Sequence, residues 1–292
     1  MEIWFVSALA GALFAGLSNF YFKQAATRNY NAELFTLYGS LISVPLVLLF
    51  LYMFSQPLFV HQWVLGLVFV GGFIAATTNI FKVHALRFID STIYFPLFKL
   101  LAPAIAIVVG VVFFSESFTY VEWFGLILGL IVPLLLITKV ESTRQNNLLL
   151  GLVLVLVTGV ASATTASLNK LATEEGVLFV TILFWTNFGV VFGSIILAIY
   201  KKGTSKLLEL IKTETSVGLI LAGGLRSTLV TVALGFMLYA FAHGGTLAVV
   251  QTVHSMYILI PIVLSIIFYN EHWNLQKAVA VILSVAALAL LG

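Results

Sequence analysis

Ten apolar segments, each close to the length of a membrane-spanning helix, dominate the chain, and short polar connections separate them. A helix needs about 20 predominantly apolar residues to cross the roughly 30 Å hydrocarbon core of a bilayer. The pattern therefore predicts an all-α polytopic membrane protein with ten transmembrane helices and no soluble domain. The predicted segments are residues 3–23, 34–54, 63–87, 91–114, 120–138, 147–170, 177–200, 216–242, 246–269 and 274–291.

Two further local patterns predict architecture. Glycines four positions apart, Gly125 with Gly129 and Gly189 with Gly193, form small-residue faces that allow close approach of neighbouring helices. Residues 201–215 form a lysine-rich connection with an amphipathic piece, which is expected to lie at the membrane surface.

Composition indicates the same class of protein, because 61% of the residues are hydrophobic and 9% are charged, against about 25% charged in soluble domains. The mean hydropathy is +1.13. The net charge of +3 reflects loop lysines rather than a surface for nucleic acid. The chain has no cysteine, which excludes disulfides and thiolate metal sites. The first apolar segment exceeds signal-peptide length and lacks a preceding basic stretch, so a retained helix is expected.

The two halves of the chain repeat each other. Residues 84–137 align without a gap on residues 239–292, and this alignment matches Glu116 with Glu271. Each half would hold five spans, and an odd number of spans gives the halves opposite orientations in the membrane. Inverted repeats with a site near the midplane are a transporter architecture. The predicted repeats are residues 1–142 and residues 143–292.

These features resemble a known family. The pattern of two five-helix halves, each with a helix that ends in a polar residue and a glutamate (Ser115-Glu116 and Asn270-Glu271), is similar to EamA-type members of the drug/metabolite transporter superfamily. Pro103 stands thirteen residues before Glu116, as the proline of that family commonly does. The resemblance implies a basket of ten helices that moves small metabolites by alternating access through a central cavity lined by both halves.

The sequence departs from that family early in the second segment of each half. The usual arginine is missing, and Tyr38 stands there in the first half and Trp185 and Asn187 in the second. No residue role is therefore carried over from the family at these positions.

Lys99 is a charged residue well inside the apolar segment 91–114, where Pro96 and Pro103 bracket it. A charge at this depth costs roughly 2.5–3.5 kcal/mol on insertion scales. Each proline also frees a backbone carbonyl, which is tolerated at membrane depth only where protein or a water-lined cavity surrounds it. We therefore predict that this helix lines a cavity and that Lys99 points into it.

The other deep charges are also basic. All eleven acidic residues fall in termini, loops or helix ends, whereas Lys99, Arg226 and His254 lie roughly 12 to 15 Å from a helix end. Buried cations that have no carboxylate partner need an anion to balance their charge. The sequence therefore predicts a substrate with a carboxylate or phosphate and argues against a cationic drug. His254 corresponds to Lys99 in the repeat, and two polar residues share its helical face. The predicted substrate-binding residues are Lys99, Arg226, His254, Gln251 and Tyr257.

Each of these residues also has a structural interpretation. Lys99 could cap carbonyls that the prolines free, Arg226 could bond to carbonyls of a neighbouring helix, and His254 could be a neutral packed histidine. Basic residues near helix ends are expected to reach the membrane interface, and the matched glutamates of the two halves are expected to close loops. The interfacial residues are Lys23, Lys82 and Lys170.

Further polar, aromatic and proline positions are candidates for the cavity wall. They are Asn19, Tyr38, Thr78, Asn79, Pro96, Pro103, Ser162, Thr165, Trp185 and Asn187. The sequence holds no nucleophile–base–acid set at membrane depth, no metal-ligand spacing and no phosphate-binding loop. We therefore predict neither an enzyme nor a cofactor or metal requirement.

The function that these patterns predict is secondary transport of a small anionic or zwitterionic metabolite by alternating access. Two alternatives stay open. The first is a carrier or flippase for an amphiphilic anion such as a polyprenyl-phosphate lipid, and the second is a membrane receptor or scaffold that binds without transport. Membrane lipids are expected partners, nucleic acid is not, and a monomer and a homodimer are equally compatible with the sequence.

The distribution of basic residues predicts an orientation in a cell membrane. Loops after odd-numbered segments hold nearly all the loop lysines and arginines, and the opposite side has Lys170. The positive-inside rule places the basic loops in the cytoplasm and both termini outside. Relatives in the family are generally drawn with both termini inside, so the two criteria disagree.

Overall fold

The computed structural model describes residues 2–137, 147–258 and 275–292, and the secondary structure in these ranges is helical. Eleven α-helices and one 3-10 turn follow one another along the described ranges. They are α1 (Ile3–Thr27), α2 (Ala32–Met53), α3 (Gln62–Phe88), α4 (Ser91–Phe113), α5 (Tyr120–Leu135), α6 (Leu148–Glu174), α7 (Phe179–Lys202), α8 (Thr204–Glu214), α9 (Val217–Ala242), α10 (Leu247–Ser255), the turn Met256–Ile258 and α11 (Leu275–Leu291).

Seven of the described helices, α1 to α4, α6, α7 and α9, are long and apolar enough to cross a membrane. Helix α5 and residues Ala278–Leu291 are apolar but shorter, and α8 is the amphipathic piece predicted in the connection 201–215. The multi-pass, all-helical prediction is therefore confirmed. The described residues form eleven α-helices, one of which is the surface piece α8, so the predicted count of ten is not confirmed.

The ninth predicted segment, 246–269, is described only as far as residue 258; within it α10 ends at Ser255, and the 3-10 turn Met256–Ile258 follows. The count of ten spans consequently stays a prediction. Glu271, which the repeat matches with Glu116, lies outside the described residues.

Side chains cap the first turns of several helices, where backbone N–H groups have no partner within the helix. Asn31 Oδ1 accepts from the Leu34 N–H at 3.1 Å. Thr119 and Glu122 form a reciprocal capping box at the start of α5, so this boundary is determined locally by the sequence. Helices α6, α9 and α10 are capped by Asn147, Ser216 and Thr246.

Helices from the two halves of the chain interleave. Helix α1 packs along α9, α3 packs against both α6 and α7, and α2 packs against α7 and α9. Helix α4 contacts α6 and α10, while α5 pairs with α11. The interior is therefore built by residues that are far apart in the chain.

Glycine makes the closest of these contacts possible. A Cβ atom at Gly72 of α3 would collide with the Thr186 carbonyl oxygen of α7, and one at Gly189 would collide with the Phe69 carbonyl oxygen. The two backbones therefore touch with no room for a side chain between them. Gly125, Gly129 and Gly193 also lie at helix contacts, as their spacing predicted.

Glu116 joins the α4–α5 connection to the start of α10. Its carboxylate accepts from the backbone N–H groups of Leu247 and Ala248, the second at 3.2 Å. Beside it, Lys170 Nζ donates to the Gly245 carbonyl at 3.1 Å and pairs with Glu174. Glu116 therefore ties two connections together, in keeping with the loop-closing role expected of it, and Lys170 lies near its helix end, although it is buried.

Burial raises the pKa of the Glu116 carboxyl above its ordinary value of 4.5, although the two N–H donors and Lys170 act in the opposite direction. Between 4.5 and the raised pKa, the folded protein holds a proton that the unfolded chain has released. We therefore expect the free energy of unfolding to fall as pH rises through this interval. In Glu116→Gln, which cannot titrate, that contribution should vanish. Thermal unfolding of the wild type and of Glu116→Gln across mildly acidic pH measures this contribution. Parallel pH profiles of the two proteins would contradict the expectation.

Candidate functional site

A cavity of about 190 Å³ lies among the central turns of the long helices. Its wall is formed by α1, α3, α4, α6, α7, α9 and α10 together with the turn Met256–Ile258, so both halves of the chain contribute. The polar side chains of the described wall are Ser18, Asn19, Thr78, Asn79, Lys82, Lys99, Ser162, Thr165, Asn169, Thr186, Asn187, Arg226, Ser227, Thr231, Gln251, His254 and Tyr257. No aspartate or glutamate is among these wall residues.

All five residues that the sequence nominated for substrate binding line this cavity. Helix α4 brings Lys99, α9 brings Arg226, α10 brings Gln251 and His254, and the 3-10 turn brings Tyr257. Their binding role stays a prediction, but their convergence makes a shared site geometrically possible.

Seven of the ten predicted wall residues also line the cavity, namely Asn19, Thr78, Asn79, Pro103, Ser162, Thr165 and Asn187. The other three do not. The Tyr38 hydroxyl is hydrogen-bonded to Thr215 Oγ1 at 2.7 Å, and Trp185 Nε1 donates to the Leu58 carbonyl at 2.9 Å. Pro96 is buried in α4 outside the cavity. The polar atoms of Tyr38 and Trp185 thus form hydrogen bonds to the segments that connect the helices.

Arg226 is the most firmly held cation of the site. Its side chain is only 4% exposed, and its guanidinium carbon lies 4.4 Å from the centre of the Phe22 ring. Nη2 donates to Asn79 Oδ1 at 2.6 Å, while the buried Nε has no hydrogen-bond partner in the described part of the chain. Because a guanidinium stays charged in proteins, this arrangement presents a fixed positive charge with an unused donor.

Lys82 also belongs to the site, which corrects the expectation that it reaches the membrane interface. It is 7% exposed and lines the cavity, with its ammonium 4.7 Å from the Phe22 ring centre and 4.3 Å from the Phe98 ring centre. Its neighbours Thr78 and Asn79 lie one turn earlier on the same face of α3. That polar stripe is the sequence signal that could have identified Lys82.

Lys99 points into the cavity, as its position in α4 predicted. It is 6% exposed, and its ammonium lies 3.7 Å from the centre of the Tyr257 ring and 5.4 Å from that of Phe98. A ring face attracts a cation through its quadrupole but does not neutralise it. The charge of Lys99 is therefore positioned without being paired.

His254 lies beside these residues. Its ring is 6.1 Å from that of Tyr257 in an edge-on arrangement. Nε2 is buried and has no hydrogen-bond partner among the described residues. Both repeat-related residues therefore face the same cavity.

A second polar group lies in the part of the cavity nearer the start of α7. Asn187 Oδ1 accepts from Ser43 Oγ at 2.7 Å and from Thr231 Oγ1 at 3.3 Å. Asn169 Oδ1 accepts from Thr186 Oγ1 at 3.5 Å, and its buried Nδ2 has no partner in the described ranges. Asn169 therefore adds an unused donor to the cavity wall.

The electrostatics of the cavity are one-sided. Lys82, Lys99 and Arg226 bring positive charge, Arg226 Nε and Asn169 Nδ2 bring unused donors, and the described wall brings no carboxylate. Leaving buried cations uncompensated is costly. The arrangement is chemically suited to a ligand that supplies negative charge and hydrogen-bond acceptors.

Comparison with known proteins agrees with the fold. Residues 2–138 match the EamA-like transporter family. No curated protein sequence matches the chain. A solved structure, described only as the crystal structure of a protein, superposes with a TM-score of 0.72 over 98% of this chain and 95% of its own. At 13% identity this likeness establishes the fold alone.

Proposed function

We propose that this chain, which matches the EamA-like transporter family of the drug/metabolite transporter superfamily over residues 2–138, is a secondary transporter. Its substrate is a small anionic or zwitterionic metabolite that carries a carboxylate or phosphate. The observation that carries the proposal is the central cavity, in which Arg226, Lys82 and Lys99 converge without a carboxylate on the described wall.

Alternating access by two inverted five-helix halves is the proposed mode of movement. Exchanging α1 with α6, α2 with α7, α3 with α9 and α4 with α10 maps the main contacts between the two halves onto one another. The α1–α9 contact becomes α6–α3, and α4–α6 becomes α10–α1. This symmetry of packing supports two related halves that rock around a central site.

The same exchange relates two pairs of touching glycines. One pair is Gly39 of α2 with Gly223 of α9. The other is Gly189 of α7 with Gly72 of α3. Neither contact leaves room for a Cβ atom. Contacts between small residues let backbones approach closely in membranes. The two pairs support the inverted-repeat interpretation of a ten-span fold.

Cavity size supports a small metabolite over a lipid-linked anion. The volume of about 190 Å³ is below the roughly 300–1,000 Å³ of pockets that enclose drug-sized ligands. A polyprenyl-phosphate sugar would need a larger space or a lateral opening between helices.

We propose that His254 provides the titrating group if transport is coupled to protons.

The proposed setting is a cell membrane that the chain crosses many times, with basic loops in the cytoplasm and both termini outside. Membrane lipids surround the apolar outer faces of helices such as α1 and α4, where large hydrophobic side chains are exposed. Substituted-cysteine labelling from each side of the membrane tests the orientation, since the chain has no native cysteine.

A ligand screen sorted by charge tests the proposed function. Thermal unfolding of the purified protein is measured with carboxylates, phosphates, amines and neutral metabolites at matched ionic strength. We expect the anions to raise the unfolding midpoint, because a ligand at a hundred times its dissociation constant adds about 2.7 kcal/mol to stability. Stabilisation by amines and not by anions would contradict the proposal.

Flux through proteoliposomes separates transport from binding alone. A stabilising anion is supplied outside the vesicles, and its saturable accumulation is compared with that in protein-free vesicles. We expect uptake that saturates in the concentration range of the thermal shift. Saturable binding without flux would identify a receptor or scaffold instead.

A further inference from the structure

Lys82 changes the charge count of the cavity. A single carboxylate would leave one positive charge over beside Arg226 and Lys99 alone, and two beside all three cations. From the three-cation arrangement we infer that the substrate is a dianion, either a phosphate monoester or a dicarboxylate, bound between Arg226, Lys82 and Lys99. This inference rests on the proposed function and narrows its substrate class, since it rules out zwitterions.

Two aromatic rings hold the three cationic groups in one cluster. Phe22 has the Arg226 guanidinium carbon 4.4 Å and the Lys82 ammonium 4.7 Å from its centre. Phe98 has the Lys82 ammonium 4.3 Å and the Lys99 ammonium 5.4 Å from its centre. The rings therefore place Lys82 between the other two cations.

Positive charges on these three groups would repel one another in the absence of a ligand. Lys82 shares the Phe22 ring with Arg226 and the Phe98 ring with Lys99. The rings attract cations but carry no net charge to balance them. Among the described wall residues, nothing supplies a negative charge. A ligand with two negative charges balances the cluster better than one with a single charge.

A zwitterion fits this cluster poorly. Its carboxylate would pair with one cation, but its ammonium would bring a further positive charge into the same cavity. The described wall offers that ammonium no carboxylate, and the ring faces of Phe22, Phe98 and Tyr257 are already occupied by side-chain cations. The net charge of the cavity would stay as high as before binding.

The number of donors also favours a dianion. An ammonium has three N–H donors, and those of Lys82 and Lys99 meet no acceptor among the described residues. Arg226 adds an unpartnered Nε, since only Nη2 is taken by Asn79. A lone carboxylate has two oxygens for these donors, whereas a phosphate monoester has three terminal oxygens and a dicarboxylate has four.

Four probes of similar size test the inference on the wild-type protein. They are glycerol 3-phosphate and succinate as dianions, lactate as a monoanion and alanine as a zwitterion. At pH 7.5, with sodium chloride used to match ionic strength, the dissociation constant of each is obtained from the thermal shift. We expect at least one dianion to bind at least about tenfold more tightly than lactate, and alanine to bind most weakly. Whether glycerol 3-phosphate or succinate is preferred distinguishes the two dianion classes.

Substitution of Lys82 tests its part in the preference. In Lys82→Gln we expect the dianion to lose at least about tenfold in affinity, while lactate loses less than about threefold. Lys82→Arg keeps the charge and should keep the dianion preference. Lys212→Gln removes an exposed lysine of α8 as the matched control and should change neither affinity.

The outcomes separate this inference from the proposed function. If the wild-type protein is stabilised by none of the anions, the proposed function fails. If lactate or alanine binds as tightly as both dianions, only the dianion inference is overturned. Equal losses for dianion and lactate in Lys82→Gln would likewise overturn it. The wild-type comparison decides the matter even if Lys82→Gln fails to fold.

Discussion

Replacement of Arg226 by glutamine is expected to abolish the stabilisation of the protein by anions while leaving the ligand-free protein at least as stable as the wild type. Arg226 is the permanently charged member of the site, and Asn79 and Phe22 hold it in place. Removing one side of a buried charge pair costs about 2–5 kcal/mol of binding. The lower figure corresponds to a loss of affinity of about 30-fold.

The expected stability of the ligand-free variant distinguishes a binding residue from a structural one. A buried cation without a carboxylate partner is a cost to the empty protein, so its removal should not lower the unfolding midpoint. The measurement is thermal unfolding with and without the best anion from the charge screen. Arg28→Gln, at an exposed position near the end of α1, is the matched control and should keep the wild-type shift. A variant that unfolds earlier yet keeps the anion shift would show that Arg226 is structural.

Gly72→Ala in α3 is expected to destabilise the protein strongly, and far more than Gly66→Ala on the same helix. The added Cβ atom would collide with the Thr186 carbonyl oxygen, and it would lie 2.9 Å from the Cα atom of Gly189. Neither partner is a side chain that can turn away, so α3 and α7 must separate. Overpacking a core typically costs about 1–3 kcal/mol, and a clash between two backbones is expected to reach the upper end of this range.

Gly66→Ala is the matched control on the same helix. A Cβ atom there meets nothing within 4 Å, so the substitution should leave the unfolding midpoint unchanged or raise it slightly. The measurement compares the unfolding midpoints of the two variants with that of the wild type. Equal midpoints for Gly72→Ala and Gly66→Ala would contradict the close contact between α3 and α7.

The sequence predicted the helices well because their limits have local causes. The long helices of the structure agree with the apolar segments to within four residues. Apolar length sets the middle of each helix, and caps such as the Thr119–Glu122 box set its start. The short α10 and its 3-10 turn were not anticipated, since the apolar segment 246–269 shows no break at Met256.

The site was partly predictable because buried charge is rare in membrane helices. Lys99 and Arg226 were identified by their depth alone, and both line the cavity. The same depth argument failed for Lys82, whose distance from its helix end, about 8 Å, suggested that it could reach water. In the structure the rings of Phe22 and Phe98, from α1 and α4, hold its ammonium inside.

Tyr38 and Trp185 show the converse error. Their polar atoms in apolar segments suggested a cavity wall, but the hydroxyl of Tyr38 and the indole N–H of Trp185 bond to Thr215 and Leu58. A sequence gives the depth of such a residue, whereas its partner comes from another helix or loop. No periodicity within one segment reveals that partner.

By itself, the sequence determined that this chain crosses a membrane many times and that its deep charges are positive. Both conclusions follow from the free energy of moving individual side chains into hydrocarbon, which depends on each residue and its neighbours along one helix. Only the tertiary structure decided that Lys99 and Arg226 share a cavity and that Lys82 joins them. Which helix faces meet depends on contacts between residues far apart in the chain, such as Gly72 with Gly189, and those contacts exist only when all the helices are packed together.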